Sequence, residues 1–338
     1  MRKLTVTLTG GLMAAAFAVG TAGLSAPAEA QTKIRVGYSV VPIHQAPLIF
    51  QKKSLTKHQG KSYTVDMIHF RGSAHQLTAV AAGELDLAVL AFSTFGGGIV
   101  NAKQDLVALA DVAQDGPKFS TVFAVLDNSS ITSVKDLKGK VLAINGKGGG
   151  VDMAARTLLL QNGLKPGFDV TFVEARFGAM EAMLRQKKTD VAVFVAPFWA
   201  RVNGKGGVRP LFRQKDGLGN SQFLLYAAKR DFVQKNRAVL VDWLEDYVRG
   251  TRWLADPKNR QEALEMTAAF NKRPAKGFAG WAFTKEGDYH HDQNGLLDME
   301  AFQNNVDVLH KLKILRRTIK VADHTDLSLV KEAAARLK

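Results

Sequence analysis

"VDMIHFRGSAHQLTAVAAGELDLAVLAFSTF", residues 65–95, runs from an apolar segment through a turn containing Arg71 into a helix-like stretch, then to a second apolar run that follows Asp86 and ends in aromatics. "VTFVEARFGAMEAMLRQKKTDVAVFVAPFW", residues 170–199, repeats that order, with Arg176 in the turn, Asp190 before the apolar run, and Phe198 and Trp199 at its end. Strand, helix and strand at this spacing predict a parallel βαβ unit. Two copies predict two lobes, each built round one unit.

The flanking segments extend both units. Before the first copy, Lys33–Tyr38 reads as a strand, and "VPIHQAPLIF" turns through Pro42 into a short helix. Before the second, "ITSVKDLKGKVLAIN" (131–145) opens the other lobe. Two strand-like runs, 119–130 and 221–230, are placed to carry the chain across and back. Beyond them, Val239, Leu240, Trp243, Leu244, Tyr247 and Val248 recur at helical spacing, and Asp256-Pro257 supplies a cap and a first-turn proline for the next helix. Phe302, Val306, Leu309 and Leu312 mark a further apolar helix face. The expectation is an α/β protein of two lobes, residues 31–118 with 222–338 and residues 119–221. Each is a mostly parallel sheet flanked by helices, with a ligand cleft between them.

The amino terminus carries Arg2 and Lys3, a small and apolar stretch to Leu24, and Ala28-Glu29-Ala30. That pattern is a secretory signal cleaved after about Ala30. The remaining 308 residues exceed the ~250–300 at which single cores stop growing, again favouring two lobes. No later segment has the ~18 uninterrupted apolar residues of a membrane span, so no stable membrane insertion is expected. Cysteine is absent, which removes disulfides, thiolate metal sites, cysteine nucleophiles and lipid attachment. Formal charge is +15 and becomes +14 without Arg2, Lys3 and Glu29. The positives are scattered, so nucleic acid is not expected as a partner, whereas an acidic ligand suits the balance.

"LAINGKGGGVDMAARTLLLQ", residues 142–161, sets four glycines between a strand and a helix. A helix start offers unpaired N–H donors and a partial positive charge, to which an anion is the natural guest. Val151 stands where GxGxxG needs its third glycine, and no GxxxxGK[ST] fits, so nucleotide patterns fail.

Several segments then carry a family likeness. "IRVGYSVVPIHQAPLIF", "AAGELDLAVLAFSTF", "ITSVKDLKGKVLAINGKGGG", "KTDVAVFVAPFWARV" and "VDVLHKLKIL" resemble the nitrate/sulfonate/taurine-type substrate-binding proteins of bacterial ABC importers. The likeness runs over essentially the whole mature chain. It implies a periplasmic protein of two α/β lobes that closes over a small organic anion, a sulfonate, taurine-like molecule or carboxylate, and delivers it to permease subunits. It implies no catalysis, no cofactor and no metal, and a monomer. A pyrimidine-type thiamine precursor is the alternative ligand, and an enzyme on the same scaffold the alternative class. The desulfinase relatives need a cysteine nucleophile, which this chain lacks, and the pyrimidine-synthesising relatives act inside cells.

Ligands of open α/β sheets bind beyond the carboxyl ends of the strands, which places the contact residues in the loops there. These are Pro42, His44 and Gln45 after the first strand, and Arg71, Gly72 and Ser73 after the second. Ser93, Thr94 and Phe95 follow the third in an aromatic loop. From the other lobe come the amides of Gly148, Gly149 and Gly150, then Arg176, then the loop of Pro197, Phe198 and Trp199. Family members commonly put serines in the glycine loop, and here Asp152 is placed to cap the same amides. Arg71 and Arg176 occupy matching turns from which two arginines would grip one anion. His290-His291-Asp292 is the one compact metal-like triplet, but adjacent histidines point apart.

Overall fold

The computed structural model describes residues 31–337, together with positions 1, 4 and 5; apart from those three positions, the export-signal reading of residues 1–30 lies outside the described residues. Ten strands occur among the described residues: β1 (Thr32–Tyr38), β2 (Tyr63–His69), β3 (Ala88–Ala91), β4 (Leu106–Asp115), β5 (Val122–Leu126), β6 (Lys140–Ile144), β7 (Val170–Glu174), β8 (Val191–Phe194), β9 (Val208–Arg213) and β10 (Ser221–Lys229). Six helices follow strands at the sheet ends: α1 (Ala46–Ile49), α2 (Ser73–Ala81), α3 (Phe92–Val100), α4 (Gly150–Gln161), α5 (Phe177–Arg185) and α6 (Ala196–Lys205).

The second lobe holds one five-stranded sheet, and the first follows a matching plan in a strand pair and a three-stranded sheet linked by one bridge. In the first lobe β1 and β2 are parallel, with Ile34 opposite Val65. A parallel bridge from Val36 to Leu87 sets β3 beside β1, and β10 lies antiparallel between β3 and β4. In the second lobe the order is β7-β6-β8-β5-β9, with β5 antiparallel between β8 and β9. The late strand β10 thus occupies in one lobe the place that β5 takes in the other.

The central strands β3 and β8 are buried along their whole length, each with a strand on either side. The two aspartates that align the sequence repeats do the same structural work. Asp86 Oδ2 accepts the backbone N–H of Arg35 at 2.8 Å, and Asp190 Oδ2 accepts that of Val141 at 2.8 Å, each reaching to the neighbouring first strand of its own lobe. Asp86 also takes two side-chain bonds from Arg35, at 2.9 and 2.6 Å. An N–H aimed at a carboxylate is a charge-assisted bond, so each aspartate clamps a strand where the ladder begins.

Two expectations need correction. The "aromatic loops" are the first turns of helices α3 and α6, because strands β3 and β8 run directly into them without a connecting loop. Strand β4 was not anticipated: its ten residues are all buried, although Asp111, Gln114 and Asp115 among them read as polar.

The chain crosses between lobes twice, and the crossings are stitched together. β5 pairs β9 up to Val122 opposite Arg213. Beyond that point the Gln214 N–H donates to the Thr121 carbonyl at 2.9 Å, and the Lys215 N–H to Ser120 Oγ at 3.0 Å. Asp115, fully buried at the end of β4, accepts the Thr121 N–H at 2.8 Å and the Ser120 hydroxyl at 2.5 Å.

The later helices cover the first lobe. Arg237–Ala255 buries Trp243 and Tyr247, whose rings stack at 5.6 Å, and Tyr226 of β10 meets both edge-on. Asp256 caps the following turn by accepting the Lys258 N–H, as its place before Pro257 predicts. No helix among the described residues is long and apolar enough to cross a membrane.

Candidate functional site

Six strand ends, three from each lobe, meet at one small cavity of about 50 Å³. Ser39, Ile43 and His44 reach it from the end of β1, Gly72 and Ser73 from β2, and Ala91 from β3. Asn145, Gly150 and Val151 face them from β6 and α4, with Phe177 and Val195 beyond β7 and β8, and Phe223 of β10 closes the base.

The lobes touch here. Thr94 Oγ1 donates to the Gly148 carbonyl at 3.2 Å, and the Ser73 and Thr94 hydroxyls lie 2.9 Å apart. At the outer edge Arg71 Nη1 stands 3.9 Å from Glu174 Oε2. Contact this close needs bare backbone. A Cβ on Gly150 would fall 2.9 Å from Ala91 Cβ and 2.9 Å from Phe223 Cε2, and one on Gly72 would fall 2.8 Å from Asn145 Nδ2. About 50 Å³ holds one or two waters at ~30 Å³ each, too little for an organic molecule with the lobes in this arrangement.

The polar groups of the cavity are uncharged and of both kinds, with His44 and the Gly150 N–H as donors and Asn145 Oδ1 as an acceptor. His44 accepts the Ser39 N–H on Nδ1 at 3.2 Å, which leaves the ring proton on Nε2. Burial, with His291 and His69 nearby, pushes its pKa down to about 3, so it offers a neutral N–H at any physiological pH. Among the lining side chains Asn145 Oδ1 is buried with no hydrogen-bond partner among the described residues; Gln45 Oε1 and Ser93 Oγ share that state but lie outside the lining. Unpaired buried polar atoms are costly unless a guest satisfies them. Asn145 was not foreseen; an asparagine at a strand end gives no sequence signal separating it from a turn residue.

The glycine loop is less open to an anion than its sequence suggests. The Gly148 N–H donates to Asp152 Oδ2 at 2.8 Å and the Gly149 N–H to the Gly146 carbonyl at 3.3 Å. Asp152 is fully buried and paired with Arg156 at 2.8 Å. Of the three amides only that of Gly150 keeps no protein acceptor among the described residues.

The remaining expected residues fall elsewhere. Pro42 and Gln45 are buried in the turn into α1. Phe95 is fully buried, 5.6 Å from Phe302, because α3 turns it away from the lobe contact into the core. Arg71 and Arg176 are exposed and line neither this cavity nor the larger one described next. Phe198 is half-buried, stacked on Phe177 at 5.6 Å with Arg201 over its other side. The metal-like triplet is structural: His290 pairs with Gln114, His291 Nδ1 meets the Val112 carbonyl, and the Asp292 N–H donates to Asp111.

Pro197 and Trp199 line a second, much larger groove of about 950 Å³. Its walls are the start of α6, both interlobe crossings and the segment 273–287. Its volume lies within the ~300–1,000 Å³ usual for small-molecule sites.

The NMT1-like family profile matches residues 27–268. The chain belongs to the NMT1-like family. No match was found among curated protein sequences. Several solved structures share the fold of this NMT1-like chain. The periplasmic aliphatic sulphonate binding protein SsuA from Escherichia coli is 20% identical over 87% of this chain and 97% of its own, with a TM-score of 0.66. The periplasmic nitrate-binding protein NrtA from Synechocystis PCC 6803 is 14% identical over 91% of this chain and 90% of its own, with a TM-score of 0.71. A desulfurization enzyme, DSZB, is 12% identical over 91% of this chain and 100% of its own, with a TM-score of 0.62. The fold is therefore that of periplasmic binding proteins, and it is shared by an enzyme.

Proposed function

We propose that this chain is an exported solute-binding protein that captures a small organic anion between its lobes and presents it to the permease of an ABC importer. One observation carries the reading. Strand ends from both lobes converge on a cavity beside a single interlobe hydrogen bond, with the Gly150 N–H left without a protein acceptor among the described residues. Two jaws that meet on unsatisfied polar groups gain free energy when a guest pairs them. The jaws are taken as residues 31–118 with 222–338 and residues 119–221. The sulphonate- and nitrate-binding proteins of the same fold support an anion, as does the formal charge of +15. Residues 1–30 read as a signal for export to the periplasm, and the mature chain is taken as a monomer.

The test is a thermal-shift screen of sulfonates, taurine, nitrate, carboxylates and pyrimidines, followed by calorimetry. A ligand present at 100 times its Kd should stabilise the protein by ~2.7 kcal/mol. Asn145→Ala should weaken that ligand by ~1–2 kcal/mol without lowering the Tm of the free protein. Turnover of the stabilising compound, monitored by chromatography, would move the protein to the enzyme class. A pyrimidine as the sole hit would replace the anion.

A further inference from the structure

The 950 Å³ groove differs from the strand-end cavity in kind. All six of its charged lining residues are cations: Lys118, Arg201, Arg213, Lys215, Arg273 and Lys276. Only Arg201 has a carboxylate partner, Glu181 at 3.1 Å, among the described residues. Arg213 spends one N–H on the Ser120 carbonyl at 3.1 Å. The acids whose charges act on these cations are engaged elsewhere. Asp115, near Arg213, accepts Ser120 and Thr121, and Asp288, near Lys118, accepts the N–H groups of Phe283 and Tyr289. Five like charges facing one space repel each other, and a guest carrying several negative charges relieves that repulsion.

The apolar part of the wall is aromatic. Trp199 is half-buried at the start of α6, and Trp281, Phe278 and Phe119 lie behind the cationic rim. An indole face held beside cations suits a flat ring bearing anionic substituents better than a flexible aliphatic chain.

We infer that the groove is the seat of an aromatic polyanion, a ring bearing two or more carboxylate or sulfonate groups, held by Lys118, Arg273 and Lys276 with its ring on Trp199. This deepens the anion-binding reading above and rests on it. The strand-end cavity, with its single free amide and neutral His44, suits at most one head group. The separate groove has the room and the charge that this cavity lacks.

Calorimetry on the full mature chain with trimesate (three carboxylates on benzene), its cyclohexane counterpart, benzoate and taurine tests the assignment. Trimesate should bind at least roughly tenfold tighter than benzoate, and its affinity should fall more steeply with added salt. Arg273→Ala with Lys276→Ala, both at exposed positions, should weaken trimesate by roughly tenfold and leave benzoate within about twofold. Trp199→Leu should erase the preference for trimesate over the cyclohexane compound. Equal affinity for trimesate and benzoate, or an unchanged trimesate affinity in the double variant, overturns the inference while leaving the capture of a simple anion intact. An unaltered ring preference in Trp199→Leu overturns the aromatic part. If neither these compounds nor the simple anions of the screen bind, the anion-binding reading itself fails, and the inference with it.

Discussion

The two βαβ repeats share a plan and part company at one place, the helix that follows the third strand. In the first lobe α3 leaves β3 and sinks: Phe92, Phe95 and Ile99 are buried, and Phe95 meets Phe302. In the second lobe α6 leaves β8 at the equivalent point and stays half in solvent, with Phe198 and Trp199 partly exposed and Arg201 beside them. Equivalent aromatic tails thus became core on one side and groove wall on the other. The extra helices of the first lobe explain the difference, since Met299–Lys311 covers α3 and no helix among the described residues covers α6 in the same way. Topology fixes where a loop can point; what is stacked on it decides whether it meets a ligand.

That contrast can be broken by experiment, starting with the largest effect. Phe95→Ala should destabilise the protein by ~3–5 kcal/mol, the cost of emptying a fully buried aromatic site, whereas Phe198→Ala should cost about 1 kcal/mol. Urea denaturation measures both, and equal losses would mean that α6 is as deeply built into its lobe as α3.

The next effect compares the matched aspartates. Asp86→Ala strands the Arg35 N–H and removes two bonds from a guanidinium that is partly exposed and keeps the Gly83 carbonyl, and should cost about 2 kcal/mol. Asp190→Ala strands only the Val141 N–H and should cost about 1.5 kcal/mol. A reversed order would show that the strand clamp matters more in the second lobe.

The smallest effect is a dependence on pH that belongs to the first lobe. Burial pushes the Asp111 pKa up to about 7, against hydrogen bonds from Gln222 and Asp292 that pull it down. A carboxyl raised in the folded state binds its proton more tightly there than in the unfolded chain. Its contribution is complete below the unfolded value near 3.8 and is lost as pH rises through about 7. Between pH 6 and pH 8 the wild type should lose about 1–1.5 kcal/mol relative to Asp111→Asn, read as diverging Tm values. The buried histidines, His44 pushed down to about 3 and His291 to about 4, act in the opposite sense as pH falls below 6.5, and cancel in this comparison because both proteins carry them.

Much of the fold was legible because its signals are local. β1, β2, β7 and β8 are apolar runs bounded by turns, and Asp86 and Asp190 mark matching positions in the repeats. β4 was invisible because its acids find their partners far along the chain or across a turn: Gln222, on the neighbouring strand β10 but 111 residues on, donates to Asp111 at 2.6 Å. α3 read as a loop through Gly96, Gly97 and Gly98, whose weak helix propensity is overridden by burial against Phe302 and Leu315. The site was half legible. Position after a strand end picked out His44, Gly72, Ser73 and Gly150, all of which line the small cavity. It also picked out Arg71 and Arg176, where charge drew attention but the side chains stay outside. Of the groove only Pro197 and Trp199 were picked out; its cations could not be read, since its residues come from four separate segments between 116 and 287 that only the fold assembles.

The stitched crossings have a mechanical consequence. Two chain passages fastened side by side at Thr121–Gln214 and Ser120–Lys215 define a line rather than a point, so the jaws are left one degree of freedom, rotation about that line. A ball joint would allow twist and sideways slip; a pinned door allows neither. One pair of spin labels or fluorophores across the mouth would therefore report the entire excursion, and a third label should add no independent coordinate.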